Sequence, residues 1–322
     1  MSGFFGFLLR RLGQALIVIV GVLVLMFLLA HIIPGGAARA AIGPRASALQ
    51  IRLFNRLNGY TLPLWRQFWR YIYEVLPPRF NLGYSYHYNE GVTTVIGQYL
   101  PKTLVLVGIS TLLALIVAIP LGILQVVRRN RPVDYTLTGV SFVLYAMPPF
   151  LLGTLLILYF AIDLRWFSTE APQAASILGI LSDPRGLVLP ELTLAAITIA
   201  SFSRYMRSSM MEAMTEDYVR TARAKGAGPR RVLFVHALRN ALIPIITLLG
   251  LSIPTIVSGA LLTETVFNYP GMGLLTYRAA TNTDIPLLLG TVIVATLATV
   301  VGSLIADIAY AVVDPRIRYA RA

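Results

Sequence analysis

Few side chains in this sequence are placed to do covalent chemistry. The chain has no cysteine, which removes disulfides, thiolate metal sites, iron–sulfur clusters and cysteine nucleophiles. Its histidines, His31, His87 and His236, are dispersed, and no H-E-x-x-H metal motif occurs. Gly108-Ile109-Ser110 and Gly250-Leu251-Ser252 both stop short of the G-x-S-x-G turn that exposes a serine nucleophile. The only lysines, Lys102 and Lys225, do not close a G-x-x-x-x-G-K-[ST] loop, so the chain offers no cradle for a nucleoside triphosphate. One acid, Asp307, sits near the end of a long apolar stretch. There it serves either as an ion-pair partner for the arginines that follow or as a proton relay.

The residues best suited to bind something lie in the run from Met211 to Arg231. Thr215 is placed as a helix N-cap, and Glu216 and Asp217 suit the positive end of a helix dipole. Arg223 and Lys225 suit a last turn, and Gly226 fits the left-handed position after it. Gly228-Pro229 then breaks the chain. The pattern predicts a two-turn helix, capped at both ends, with Tyr218, Val219 and Ala222 as a small apolar ridge for a partner.

The elements around that helix follow from composition. Of 322 residues, 57% are hydrophobic and only 13% charged, with a net charge of +13. Soluble domains carry about a quarter charged residues, so a soluble enzyme is excluded, as is a disordered chain. A bilayer-spanning helix needs about 20 apolar residues. Six stretches qualify: Leu12–Ile33, Thr103–Val127, Tyr135–Ile162, Leu187–Met206, Ala237–Leu262 and Ile285–Val313. Pro148-Pro149 should bend or unwind the third. The fourth opens with Pro190-Glu191, and Pro244 and Pro254 interrupt the fifth. These four prolines of the third and fifth stretches are candidate kinks and pore elements. The first stretch follows Arg10-Arg11 and precedes Ala38-Arg39-Ala40, features a signal peptide shares, but its apolar run is too long for a signal core.

Basic residues set the expected sidedness. Arg10 and Arg11 precede the first span, Arg128, Arg129 and Arg131 follow the second, and Arg316, Arg318 and Arg321 follow the sixth. The fourth-to-fifth link adds Arg204, Arg207, Arg220, Arg223, Lys225, Arg230, Arg231 and Arg239. The short links on the other side hold only Arg165, Arg185 and Arg278. Positive residues stay cytoplasmic, so both termini and Lys225 are expected inside and Trp65 outside. The charge excess is thus topological, not a nucleic-acid footprint. The long external segment between spans one and two contains Leu64, Trp65, Phe68, Trp69 and Ile72 at helical spacing, the pattern of an amphipathic helix. It suits either the membrane interface or the docking of an external partner.

The run Asp217-Tyr-Val-Arg-Thr-Ala-Arg-Ala-Lys-Gly226, followed by His236-Ala-Leu-Arg-Asn-Ala-Leu-Ile-Pro244, resembles the coupling loop of ABC importer permeases of the dipeptide/oligopeptide branch. Further landmarks agree in order: Leu9-Arg-Arg-Leu, His31-Ile-Ile-Pro-Gly35, Asn81-Leu-Gly-Tyr-Ser85, Glu264-Thr-Val-Phe-Asn-Tyr-Pro-Gly-Met-Gly273 and Asp314-Pro-Arg-Ile-Arg318. The general importer pattern, E-A-A-x3-G-x9-I-x-L-P, is met only loosely, with Arg220-Thr221-Ala222 at its start and Arg239 at its final proline. That departure favours the peptide branch, although nickel and glutathione importers look similar.

The resemblance implies an all-α polytopic membrane protein of six transmembrane helices with the type I ABC importer (MetI-like) permease fold. It divides the chain into residues 1–34, an extracytoplasmic segment 35–101 and a five-helix core 102–322 with a cytoplasmic coupling loop at 207–235. Glu216, Asp217, Tyr218, Val219, Arg220, Thr221, Ala222, Arg223, Ala224, Lys225 and Gly226 would form the ATPase-coupling element. Tyr269, Pro270, Gly271 and Gly273 would form an extracytoplasmic loop. The implied partners are a second homologous permease, two ABC ATPases that bind ATP and magnesium, an extracytoplasmic solute-binding protein, membrane lipid and a peptide substrate. The chain itself would hold no cofactor or metal and catalyse nothing. A self-contained secondary transporter or channel is the competing class; it would transport without ATPase partners.

Overall fold

A computed structural model describes residues 4–32, 42–43, 46–57, 59–76, 78–85, 87–258 and 260–313. The landmarks at 33–35 and 314–318 lie outside them, as do the side chains of Pro254 and Asp307. Helix α1 (Phe4–Ile32) is followed by two short helices, α2 (Ala48–Leu57) and α3 (Leu64–Val75). A two-stranded hairpin, β1 (Tyr84–Ser85) with β2 (Glu90–Gly91), pairs antiparallel with Tyr84 opposite Gly91. It leads directly into α4 (Val92–Val127), which runs through Pro101 and so begins well before the expected span at Thr103.

The expected third span is two helices: α5 (Pro132–Ala146) and α6, formed by Pro149–Leu156 and the wider π turns Ile157–Asp163. They meet at 105° across Met147-Pro148. Two consecutive prolines remove two amide donors and hold Met147 and Pro148 extended, so the chain turns a corner there instead of kinking. Among the described residues, five helices are long and apolar enough to span a bilayer, and the bent pair makes a sixth if it counts as one.

After α7 (Ile177–Leu181), helix α8 (Pro184–Ala213) carries the core. It lies parallel to α4: Ser110 meets Glu191 near one end and Gly122 meets Met206 near the other. A Cβ on Gly122 would stand 2.6 Å from the Met206 Cβ, so the small residue sets the close approach of these helices. Helix α9 (Asp217–Ala224) follows at the end of α8. Next, α10 joins Pro229–Arg231, Val232–Ala237 and Leu238–Ala241, and α11 (Ile243–Ser258) continues it. Pro244 is the second residue of α11, at the helix boundary and not within a bend of one helix. Short α12 (Leu261–Val266) and α13 (Met272–Thr281) precede α14 (Ile285–Val313), which packs along α11.

Arg207 counts among the basic residues that orient the spans, yet it is also structural. Its Nε and Nη2 each donate at 2.9 Å to the two oxygens of Asp134, which is 2% exposed. Asp134 also accepts the Asn130 amide at 3.2 Å, so one carboxylate starts α5 and ties it to α8. We expect Arg207→Ala to cost about 3–5 kcal/mol by stranding that carboxylate. Asp134→Asn should restore part of the loss in the double mutant. Thermal-shift and monodispersity measurements in detergent read both.

Candidate functional site

Helix α9 is built as its sequence demands, with one exception. Thr215 does not cap it: its hydroxyl donates to the Glu212 carbonyl at 2.8 Å and finishes α8. The N-cap is Glu216, whose side chain makes no capping bond, and Asp217 supplies the negative charge in the first turn. The C-terminus closes as expected. Gly226 takes φ +81°, its amide donates to the Arg223 carbonyl at 2.9 Å, and the Ala227 amide donates to the Ala222 carbonyl at 3.0 Å. This paired 5→2 and 6→1 bonding needs a left-handed residue, which glycine supplies without a Cβ clash.

The apolar ridge is used differently from the sequence-based expectation. Val219 and Ala222 are buried, and Val219 with half-buried Tyr218 packs on Met210, Ala213 and Val232 of the chain's own core. So short a helix cannot fold without burying its apolar stripe, and α8 and α10 provide the surface. The outward face is instead Asp217, Arg220, Thr221 and Ala224, all exposed, with Arg223, Lys225 and Gly226 beside it. Arg220 and Asp217 approach at 3.5 Å across this face.

A second constellation forms at the opposite end of α4 and α8, around a residue that the sequence reading quoted but assigned no role. Glu264 of α12 is fully buried. One carboxylate oxygen accepts from the Thr103 hydroxyl at 3.0 Å and the Ala260 amide at 3.4 Å; the other accepts from the Leu274 amide at 2.9 Å. The Thr103 oxygen in turn accepts the Met272 amide at 2.7 Å, and the Tyr269 hydroxyl donates to the Lys102 carbonyl at 2.7 Å. Burial pushes the Glu264 carboxyl above its ordinary pKa, against the pull of these donors. The amides of Met272 and Leu274 belong to the first turn of α13, so the carboxylate also satisfies that helix terminus.

This geometry explains the Tyr269, Pro270, Gly271 and Gly273 run. A Cβ on Gly271 would overlap the Glu264 carboxylate, and one on Gly273 would lie 2.7 Å from the Leu261 Cα. Glycine is required by proximity. The acid at the head of the run, three residues before a buried aromatic pair, was the signal available in sequence. The neighbouring Asn81–Ser85 landmark is a similar clasp: Ser85 donates to Asp284, which accepts the Leu287 amide at 3.2 Å and starts α14.

Glu191, which lies in the expected fourth span, is a further buried acid. It sits between α8 and α4, 7% exposed, accepting the Ser110 hydroxyl at 2.6 Å with one oxygen while the other has no partner. Among the described residues, no three histidine, aspartate or glutamate side chains converge where a metal could bind.

The arrangement is a bundle with a closed polar clasp at one end and a capped, outward-facing helix at the other. Two family models divide almost the whole chain. Residues 111–319 match the binding-protein-dependent transport system inner membrane component, and residues 4–107 match the N-terminal part of such membrane components. The chain belongs to that family. It is a multi-pass membrane permease subunit with the MetI-like fold. It is 35% identical to the oligopeptide transport system permease protein AppB of Bacillus subtilis, covering 97% of this chain and 99% of that one. Identity is 37% to the di/tripeptide transport system permease protein DppB of Pseudomonas aeruginosa, over 98% and 99%. The glutathione transport system permease protein GsiC of Salmonella paratyphi A is 36% identical, over 97% and 99%.

Because Gly271 and Glu264 occupy one space, their substitutions should not add. We expect Glu264→Ala to cost about 1–3 kcal/mol for each donor it orphans. Gly271→Ala should be damaging alone but nearly silent in the Glu264→Ala background, where its methyl has room. A double-mutant cycle on thermal stability measures the coupling.

Proposed function

We propose that this chain is one of two permease halves of an ATP-driven importer of di- and oligopeptides. The observation that carries this reading is α9: a helix fixed to its own bundle by Val219 and Tyr218, which offers a four-residue exposed face to something outside the chain. That face, Asp217, Arg220, Thr221 and Ala224, docks into an ABC ATPase, and the loop 207–235 is cytoplasmic. Two such ATPases bind ATP and magnesium and do the hydrolysis. A second homologous permease completes the pore, and an extracytoplasmic binding protein delivers the solute. Both termini are cytoplasmic, as the distribution of arginine supports. The external segment 35–101 and the clasp around Tyr269, Pro270, Gly271 and Gly273 face the other side. Peptide is the favoured solute because relatives that match the whole chain are named for oligopeptides and di/tripeptides. The relative named for glutathione suggests that the pore of this fold leaves selection to the binding protein.

The corner at Pro148-Pro149 and the α10–α11 boundary at Pro244 are the places where rigid pieces can move against each other, with the prolines as fixed joints.

Two measurements test this reading. In intact cells, an impermeant thiol reagent should label Glu170→Cys in the link after α6 but reach Lys225→Cys only after permeabilisation; the reverse overturns the orientation. In the reconstituted complex, Ala224→Glu should leave the fold intact, because the side chain is exposed, yet reduce solute-stimulated ATPase activity and uptake about tenfold, equivalent to about 1.4 kcal/mol. Full coupled transport by Ala224→Glu would place the ATPase contact elsewhere.

A further inference from the structure

Helix α3 carries large apolar residues on two faces, one turned to the chain and one turned outward. It runs antiparallel to the last turns of α1. The His31 ring and the Gln67 carboxamide oxygen are 3.0 Å apart, the Phe27 ring meets Phe68 at 5.3 Å and Tyr71 at 5.8 Å, and Val75 packs with Leu23 and Ile293. Its half-buried Gln67 and Glu74, with exposed Arg70, line a cavity of about 610 Å³ shared with His31 and Asn81. Its aromatic residues turn outward: Trp65, Trp69 and Tyr73 are 61%, 64% and 63% exposed. Four-residue spacing rotates each 40° from the last, so they form one stripe along the helix. That stripe continues a bare apolar face of α1, where Leu25, Leu28, Leu29 and Ile32 are exposed along the same turns.

We propose that α3 is embedded in the leaflet at the C-terminal end of α1, with the Trp65–Trp69–Tyr73 stripe lying against phospholipid. Three observations converge on lipid as the occupant. A water-facing helix buries one apolar face; α3 already fills its inner face with Phe68, Tyr71 and Val75 and still exposes Trp65, Trp69 and Tyr73 as a second. The stripe is continuous with the surface of a spanning helix, which lipid already covers. Its chemistry is that of the membrane interface, where tryptophan and tyrosine rings sit with the polar end toward the headgroups. The guanidinium of Arg66 lies 5.0 Å over the Trp65 ring, at the rim of the stripe, where it can reach lipid phosphate; that of Arg79 lies 4.3 Å over Tyr73 and is paired with Glu74 at 2.8 Å. The cavity behind α3 is then shielded from the bilayer by the helix itself, which allows Arg70 and Glu74 to sit at this level.

The natural absence of cysteine makes the proposal testable in the full chain within its assembled transporter. Nitroxide labels are placed at Trp65→Cys, Trp69→Cys and Tyr73→Cys, with Leu25→Cys as a lipid reference and Glu170→Cys as a water reference. Collision with oxygen should exceed collision with a water-soluble nickel chelate several-fold at 65, 69 and 73, as at position 25. Nickel-dominated collision would place the stripe in water. Low collision with both would mean that the second permease or the binding protein covers it, and either result overturns the lipid contact. The measurement reads depth and not sidedness, so it stands or falls independently of the orientation and of the transported solute.

Discussion

A carboxylate buried in a bundle of apolar helices is costly unless donors meet its oxygens, and Glu264 shows how much structure meeting both of them fixes. Thr103 brings α4, the Ala260 amide brings the start of α12, and the Leu274 amide brings the first turn of α13. Each of these groups would itself be stranded without the acid, because the segment turns twice within a dozen residues and has no regular ladder to absorb its amides. The close glycines are a consequence. Tyr269 then reaches past the carboxylate to the Lys102 carbonyl and closes the assembly. In a non-polar surrounding such a network is worth keeping whole or not having at all, so this end of the bundle behaves as one body.

The same economy governs where the chain breaks its helices. Non-helical backbone within an apolar bundle must be shielded by protein. The corner between α5 and α6 satisfies this with prolines, which have no amide to strand, and with the close seat of Gly153 against Phe267. The π turns that end α6 and open α10 keep the backbone bonded while shifting the helix face. At Asp134 the capping amide and the Arg207 fork serve the same end on the opposite side of the bundle.

How far the fold was legible in the sequence depended on whether the signal was local. The spans, the capped α9 with Gly226 in the left-handed position, and the breaks at proline all follow from composition and from residues within one turn of each other. The magnitude of the α5–α6 corner did not, because a Pro-Pro pair fixes two torsions but leaves the angle to what packs on either side. The direction of the α9 ridge was misread for a related reason: Val219 and Tyr218 look like a docking surface only until Met210 and Val232, distant in chain, are known to cover them. Glu191 and Glu264 were both visible as letters. Their meaning lay in Ser110 and Thr103, each at least 80 positions away, and single-sequence reasoning has no means to pair them.

The two ends of the molecule are linked by the parallel pair α4 and α8. Thr103 anchors α4 in the clasp, Glu191 and Ser110 join the pair beside it, and Gly122 lets Met206 close against α4 toward the other end. Met210 and Ala213, on the last turns of α8, form the seat of Val219 and Tyr218. Interiors packed this closely transmit displacement instead of absorbing it. A push on the outward face of α9 would therefore be carried along α8 and α4 toward the clasp, while the segments that flank the pair, α5–α6 and α10–α11, have their joints at proline. In the coupling role proposed for α9 no flexible relay is needed: a rigid pair with α9 at one end and a locked loop at the other would move as a lever against the jointed remainder.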